Sequence, residues 1–226
     1  KSHSRGEFIF DYGWADAYER AGGRYYPKLL AAVPFTPATG PRLLVREGLD
    51  KVLVQRQLAA GLIGAAEHLK IATISVNFLP EDEWDLLDDA DYLKRADQQY
   101  HWYNRDYGSF DDFLDDLSSR KRKNIRKERR GALASGVEIE WLSGSDIREE
   151  HWDAFYKFYM DTGSRKWGQP YLNREFFSLI TESMADKILL IMCRREGRYI
   201  AGALNLIGGE ALFGRYWGCI EDHPFL

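Results

Sequence analysis

The chain has only two cysteines in 226 residues and no Cys-x-x-Cys, His-Glu-x-x-His or Cys/His cluster. This excludes a disulfide framework, argues against a zinc site and makes reduced, cytoplasmic chemistry the default expectation. Cys193 and Cys219 both fall in apolar runs that read as buried strands, with no base placed to lower a thiol pKa, so they read as structural thiols. Long apolar runs are missing too. The longest, Ile188–Cys193, is strand-sized, well short of the roughly 20 residues a bilayer helix needs. With seven prolines and no low-complexity tract, a collagen-like rod and a disordered tail are excluded. The sequence opens at Lys1 without an initiator methionine and closes on His223-Pro224-Phe225-Leu226 without a final helix. It is therefore expected to be a window of a longer protein.

What is present is an uneven charge. The formal net charge is −4, which argues against a chain wholly devoted to nucleic acid. Residues 1–119 carry 13 Lys and Arg against 20 Asp and Glu, whereas residues 120–226 carry 18 against 15. The steepest contrast lies between Glu81–Asp91, with seven acids, and Arg120–Arg130, with eight bases.

Local patterning predicts a mixed architecture. Phe8-Ile9-Phe10, Leu29–Phe35, Ile71–Phe78, Gln98–Tyr103 and Val137–Leu142 read as strands. Trp14–Ala21 reads as a short helix stopped by Gly22-Gly23, and Asp50 as the cap of a helix with Val54, Leu58, Leu62 and Leu69 on one stripe. Ser109 opens a long helical stretch that breaks at Ser118-Ser119 and stops near Gly136. Asp146 caps a helix bearing Ile147, Trp152, Phe155 and Tyr159 on one face, and Asn173–Met184 is a further helix. The clearest signal is Ile188–Arg194, a Glu196-Gly197 turn, Tyr199–Leu206, a Gly208-Gly209 turn and Glu210–Cys219, a three-stranded antiparallel meander. Helices alternating with strands upstream of a meander predict an α/β fold, a mixed sheet covered by helices.

The basic run is tested by helical projection at about 100° per residue. Arg122, Lys123, Arg126, Lys127, Arg129 and Arg130 fall on one side; Phe113, Leu114, Leu117, Ile125 and Ala132 fall on the other, with Asn124 and Glu128 inside that packed arc. Two readings stand: a solvated face, paired with the acidic Glu81–Asp91 run, or an anion-binding ridge for a phosphate-bearing substrate, coenzyme or RNA. The segment Glu7–Tyr26 likewise has two. Its seven aromatic rings suit a core, while Asp16, Tyr18 and Arg24, interleaved with glycines, suit a pocket-lining loop.

These residues also carry a resemblance. The order Phe113…Ser119-Arg120-Lys121-Arg122-Lys123-Asn124-Ile125-Arg126-Lys127…Gly136-Val137-Glu138-Ile139 resembles the arginine-lysine helix and following strand of the Fem peptidyltransferases. Downstream, Phe155-Tyr156-Lys157-Phe158-Tyr159…Thr162, Tyr171…Phe176-Phe177, Ile200–Leu204 and Gly214-Arg215-Tyr216-Trp217-Gly218 keep the same order. The block Tyr12–Leu44, with Pro34-Phe35-Thr36-Pro37 and Gly40-Pro41-Arg42-Leu43-Leu44, most resembles the FemAB-like group of bacterial N-acyltransferases, associated with peptidoglycan biosynthesis or recognition.

The resemblance implies two GNAT-like halves in tandem, residues 1–118 and residues 119–226, each lacking terminal elements. It implies an acyl or aminoacyl group passed to an amine, on a cell-wall precursor or similar acceptor, with an oxyanion forming beside an exposed backbone N–H. An amine with a pKa near ~10.4 costs roughly 4–5 kcal/mol to deprotonate at pH 7, so a relay is expected. Tyr216 is the candidate acid for the leaving group, and Glu221 and His223 are the candidate bases. Arg42 and Trp217, together with Lys123, Asn124, Arg126 and Lys127, join Asp16, Tyr18 and Arg24 as candidates for holding substrate or donor. No covalently bound cofactor is implied. The glycine-rich pyrophosphate cradle of CoA-dependent members is not found in these residues, and the donor stays open between aminoacyl-tRNA and acyl-CoA. The alternative function is a non-catalytic GNAT-like module that binds RNA or a phosphorylated glycan through the basic helix.

Overall fold

The computed structural model describes residues 1–134, 136–166 and 170–221. The protein is a mixed α/β chain with two sheets, and it divides into two compact units, Lys1–Trp102 and Tyr103–Leu226.

In the first unit, α1 (Tyr12–Arg20) precedes β1 (Leu29–Ala31), α2 (Lys51–His68), β2 (Ile74–Val76) and α3 (Glu81–Asp88). The strands β1 and β2 pair in parallel, with Leu29 opposite Ile74, a geometry that needs a crossover such as α2. Asp50 caps α2 as its sequence implies: its Oδ1 accepts the Leu53 N–H at 3.0 Å. Both strands are shorter than the apolar runs suggest: the chain bends at Ala32 directly after β1 and turns at Pro34-Phe35, and Phe78, two residues after β2, takes a left-handed φ of 58°. Phe8-Ile9-Phe10 is not a strand, for the same reason: Phe8 has φ 55°. Gln98–Tyr103 is not one either. The Asp97 Oδ1 takes the Gln98 N–H at 2.7 Å and the Gln99 amide turns to the Pro37 carbonyl at 3.0 Å.

The acidic run forms α3, which the charge pattern concealed. Its Glu83 is buried and works as a backbone anchor, accepting the Arg42 and Leu43 N–H groups at 2.8 and 3.2 Å and the Gln55 amide at 3.2 Å. Around it pack Leu43, Ala59, Leu86 and Leu87. The outward acids pair within the unit: Asp82 with Lys51, Asp85 and Asp88 with Lys94, Asp89 with Arg56.

A second buried polar cluster holds the chain's first 28 residues. Lys28 Nζ lies 2.7 Å from both Glu7 and Asp11, and all three side chains are fully buried. Ser4 Oγ and Tyr25 OH each donate to Asp11 at 2.9 Å. Burial pushes the Asp11 carboxyl up, but the hydrogen bonds from Lys28, Ser4 and Tyr25 outweigh it, and the net shift is downward.

The second unit contains α4 (Phe110–Asp115), α5 (Ser119–Leu133), β3 (Glu138–Leu142), α6 (Glu149–Lys166), α7 (Arg174–Met184), β4 (Ile188–Arg195), β5 (Arg198–Ile207) and β6 (Leu212–Cys219). The four strands form one antiparallel sheet in the order β3-β4-β5-β6. The expected meander is present. Its first turn has φ 51° at Glu196 and 75° at Gly197, the pair of left-handed residues that matches strand twist. Alternation sends Ile188, Leu190 and Met192 of β4 into a core with Trp152, Phe155, Phe158 and Phe177 of α6 and α7. Helix α6 lies so close to the sheet that a side chain at Gly218 would meet the Phe158 carbonyl oxygen at 2.5 Å. The break expected at Ser118-Ser119 separates α4 from α5.

Candidate active site

The meander's last strand does not run regularly. Leu204 of β5 faces Tyr216, but the next residue, Asn205, faces Gly214. Arg215 is therefore an extra residue on β6, a bulge that leaves it out of step with the ladder and re-aims its neighbourhood. Beside this bulge three tyrosines converge. Tyr216 packs edge-on against Tyr159 of α6, with ring centroids 5.1 Å apart. The Tyr159 hydroxyl accepts the backbone N–H groups of Tyr171 and Leu172, both at 3.1 Å, and so pins the segment between α6 and α7. The Tyr171 and Tyr216 hydroxyls are hydrogen-bonded to each other. Arg215 Nη2 donates to the Tyr171 hydroxyl at 2.9 Å, and its guanidinium lies 4.4 Å from the Tyr216 ring centroid.

Electrostatics fix the role open to Tyr216. Burial, then the hydrogen bond with Tyr171, push its phenol far above the ordinary tyrosine value, and the Arg215 charge only partly opposes this. The Tyr159 phenol is also raised, chiefly by burial. Tyr216 therefore favours its protonated form. It can donate a proton or a hydrogen bond; it cannot serve as a resting base. The adjacent guanidinium places a positive charge beside the phenol.

Glu221 and Tyr216 are not brought together. Five residues on along and beyond β6, on the order of 15 Å at strand rise, the Glu221 carboxylate is clamped by Arg195 at 2.6 Å and Arg198 at 3.1 Å. That clamp closes the end of the β4–β5 hairpin. His223 lies outside the described residues. Trp217, the next residue after Tyr216, is 46% exposed and sits opposite Ala203.

The first-unit candidates are dispersed. Asp16 and Tyr18 are exposed on α1, with Tyr18 edge-on to Tyr25 at 6.2 Å. Arg24 donates to the Lys70 carbonyl at 3.3 Å. Arg42 is a loop staple: its guanidinium donates to the carbonyls of Asn77, Gly40, Pro41 and Ala38 at 2.7–3.1 Å.

On α5 the projected ridge needs correction. Leu114 is buried and Phe113, Leu117, Ile125 and Ala132 are half-buried, as the projection implies, but α5 itself buries no side chain fully, and Asn124 and Glu128, projected into the same arc, are exposed. Arg122, projected onto the open ridge, turns back to Asp115 at 3.1 Å and to the Leu117 carbonyl at 3.2 Å. Arg126 pairs with Asp111 at 3.0 Å. Lys123 and Lys127 are exposed and, among the described residues, pair with no carboxylate.

Tyr159, Tyr171 and Arg215 were visible in the sequence only as members of the quoted motifs. What assigns them a role is the convergence of α6, the α6–α7 segment and the β6 bulge. Among the described residues no group of His, Cys, Asp and Glu is arranged to hold a metal ion, and no helix is long and apolar enough to cross a membrane. No curated protein matches the chain. The family model described as peptidoglycan biosynthesis/recognition matches residues 1–226, the whole chain. The protein therefore belongs to the FemAB-like family.

Proposed function

We propose that this protein is an N-acyltransferase that moves an acyl or aminoacyl group from an activated donor, an aminoacyl-tRNA ester or an acyl-CoA thioester, to the amine of a cell-wall precursor. The reading takes residues 1–118 and 119–226 as paired GNAT-like halves, with the chemistry in the second. The observation that carries it is Tyr216 held by Tyr171 and Arg215 beside a β-bulge.

The acceptor nitrogen attacks the carbonyl carbon of the donor, a C–N bond forms, and the C–O or C–S bond breaks. Tyr216 gives its phenolic proton to the departing oxygen of an ester donor and regains one from solvent, whereas the sulfur of a thioester donor leaves as a thiolate that is stable near neutral pH. The amine's surplus proton leaves to water. Arg215 beside the phenol offsets the negative charge that builds during this exchange. Tyr159 positions the pair by pinning the Tyr171 backbone. An amine must arrive neutral, so the rate rises with pH toward the acceptor's own pKa near ~10.4. The raised Tyr216 phenol adds no falling limb below that value, because a general acid is lost only above its own pKa.

The test is product mass. Full-length protein is incubated with amine-bearing muropeptides and either acyl-CoA or aminoacyl-tRNA. The proposal expects a mass increase equal to the acyl group with one donor class and, with an ester donor, a loss on the order of 10²-fold in its rate of formation in Tyr216→Phe. No product with either donor overturns it.

A further inference from the structure

The second unit carries an open cavity at the edge of its sheet opposite Tyr216, three strand spacings or about 14 Å away. Its volume is about 480 Å³. Glu140 and Trp141 line it from β3, Ser145 and Asp146 from the single 3-10 turn Gly144–Asp146, and Arg148 and His151 from the entry to α6. Two of these side chains are occupied. Glu140 accepts the Tyr199 hydroxyl at 2.8 Å and pairs with Arg194 at 2.8 Å, and Arg148 pairs with Glu150.

His151 is the decisive member. It is only 2% exposed, and its Nδ1 accepts the Arg148 backbone N–H at 3.0 Å. That bond fixes the tautomer: Nδ1 carries no proton, so in the neutral ring Nε2 does. Burial, then the Arg148 charge, lower the imidazole pKa and favour the neutral ring. Among the described residues the Nε2–H has no hydrogen-bond partner; Glu150 Oε1 stands 3.8 Å away, beyond bonding reach. A buried donor in this state gains from any acceptor that enters the cavity. Asp146 is exposed and, among the described residues, makes no ion pair and no side-chain hydrogen bond. Trp141 presents an indole that is 70% exposed.

These groups define a ligand by exclusion. An anion is repelled by Asp146 and Glu140. An alkylammonium offers no acceptor to His151, and a hydrocarbon serves neither His151 nor Asp146. A flat group that accepts from Nε2–H, donates to a carboxylate and lies on an indole face serves all three, and a carboxamide is such a group. We infer that this cavity binds a primary carboxamide, its carbonyl oxygen held by His151, its N–H by Asp146 and its flat face by Trp141. The inference rests on the second unit's own geometry and stands whether or not Tyr216 transfers an acyl group. The carboxamide belongs either to a glutamine or asparagine side chain of a peptide or to a small free amide.

The test is proton–nitrogen NMR of the full chain labelled at histidine and tryptophan, titrated with benzamide, benzoate and benzylamine, three probes of one shape. Benzamide is expected to shift the His151 Nε2–H and Trp141 Nε1–H signals saturably, and to bind at least about tenfold more tightly than the other two. Asp146→Ala and Trp141→Ala, both at exposed positions, are each expected to weaken benzamide by about five- to tenfold. Because His151 also caps α6 through Arg148, its part is read from its own signal rather than from a variant. The peptide acetyl-Gly-Gln-Gly-amide then identifies the source: tighter binding than benzamide assigns the group to a peptide side chain, weaker binding to a free amide. Three results each overturn the inference: no saturable shift with benzamide, equal binding of benzoate or benzylamine, or both variants binding benzamide like the parent. Methyl glucoside binding more tightly than benzamide assigns the cavity to hydroxyl groups and overturns it as well.

Discussion

The two units hold their interiors together by opposite means. The second packs Trp152, Phe155, Phe158 and Phe177 against the β4 side chains Ile188, Leu190 and Met192 and keeps its densest charge on the exposed surface of α5. The first has a small aliphatic core and seals charge inside: Lys28 between Glu7 and Asp11, and Glu83 beneath the backbone of Arg42 and Leu43. An apolar core tolerates modest change because its contacts are many and individually weak. A buried ion cluster fails when one member is removed, because the remaining charges have no water to turn to.

The sharpest way to break this comparison is Lys28→Ala. It leaves two buried carboxylates facing each other and is expected to destabilise the first unit by on the order of 3–5 kcal/mol, read as lost hydrogen-exchange protection in residues 1–102 with the second unit's protection retained. Loss of protection in both units together would show that their stabilities are not separable. A core truncation in the second unit, Leu190→Ala, removes a fully buried side chain and is expected to cost about 2–5 kcal/mol, seen as a lower denaturant midpoint for the residues of β4 and α6.

Acid sharpens the same contrast. The Asp11 carboxyl is lower in the folded state than in the unfolded chain, so its stabilisation is complete above the unfolded value near ~3.9 and is lost as pH falls from there through the folded value. The first unit is expected to lose exchange protection before the second as pH falls below about 4. Simultaneous loss would assign acid sensitivity elsewhere. The smallest effect belongs to an exposed pair: Arg126→Gln, which breaks the bond to Asp111, is expected to change stability by less than about 1 kcal/mol, measurable as an unchanged melting temperature within a few degrees.

How much of this was legible in the sequence follows the range of the forces involved. The meander, α6 and the Asp50 and Asn173 caps rest on turn chemistry, alternation and side-chain capping within a few residues, and these are written locally. Helix α3 was hidden because Glu81–Asp91 reads as a charge run, and its inward members, Glu83, Leu86 and Leu87, declare themselves only once a core exists to receive them. Phe8-Ile9-Phe10 has strand composition, but Phe8 takes a left-handed φ while Glu7 is drawn to Lys28, 21 positions along the chain. No local pattern records that pull. The same holds at the candidate site. Tyr216 is a candidate from its strand-end position, whereas the side chains it meets, Tyr159 and Tyr171, come from a distant helix and the segment after it. Glu221 looked like a base because the two arginines that clamp it, Arg195 and Arg198, belong to a hairpin closed only in three dimensions.

The central claim is that Tyr216 acts as a general acid toward the leaving group, and the most direct test varies that group. An ester donor releases an alkoxide that needs a proton, whereas a thioester releases a thiolate stable near neutral pH, with a thiol pKa near ~8.5. Rates for the parent and Tyr216→Phe are compared on an ester and a thioester carrying the same acyl group and the same amine. The account predicts that the variant loses on the order of 10²-fold or more in kcat on the ester and less than tenfold on the thioester, with KM little changed. Equal losses on both donors, or a variant as fast as the parent, would contradict it.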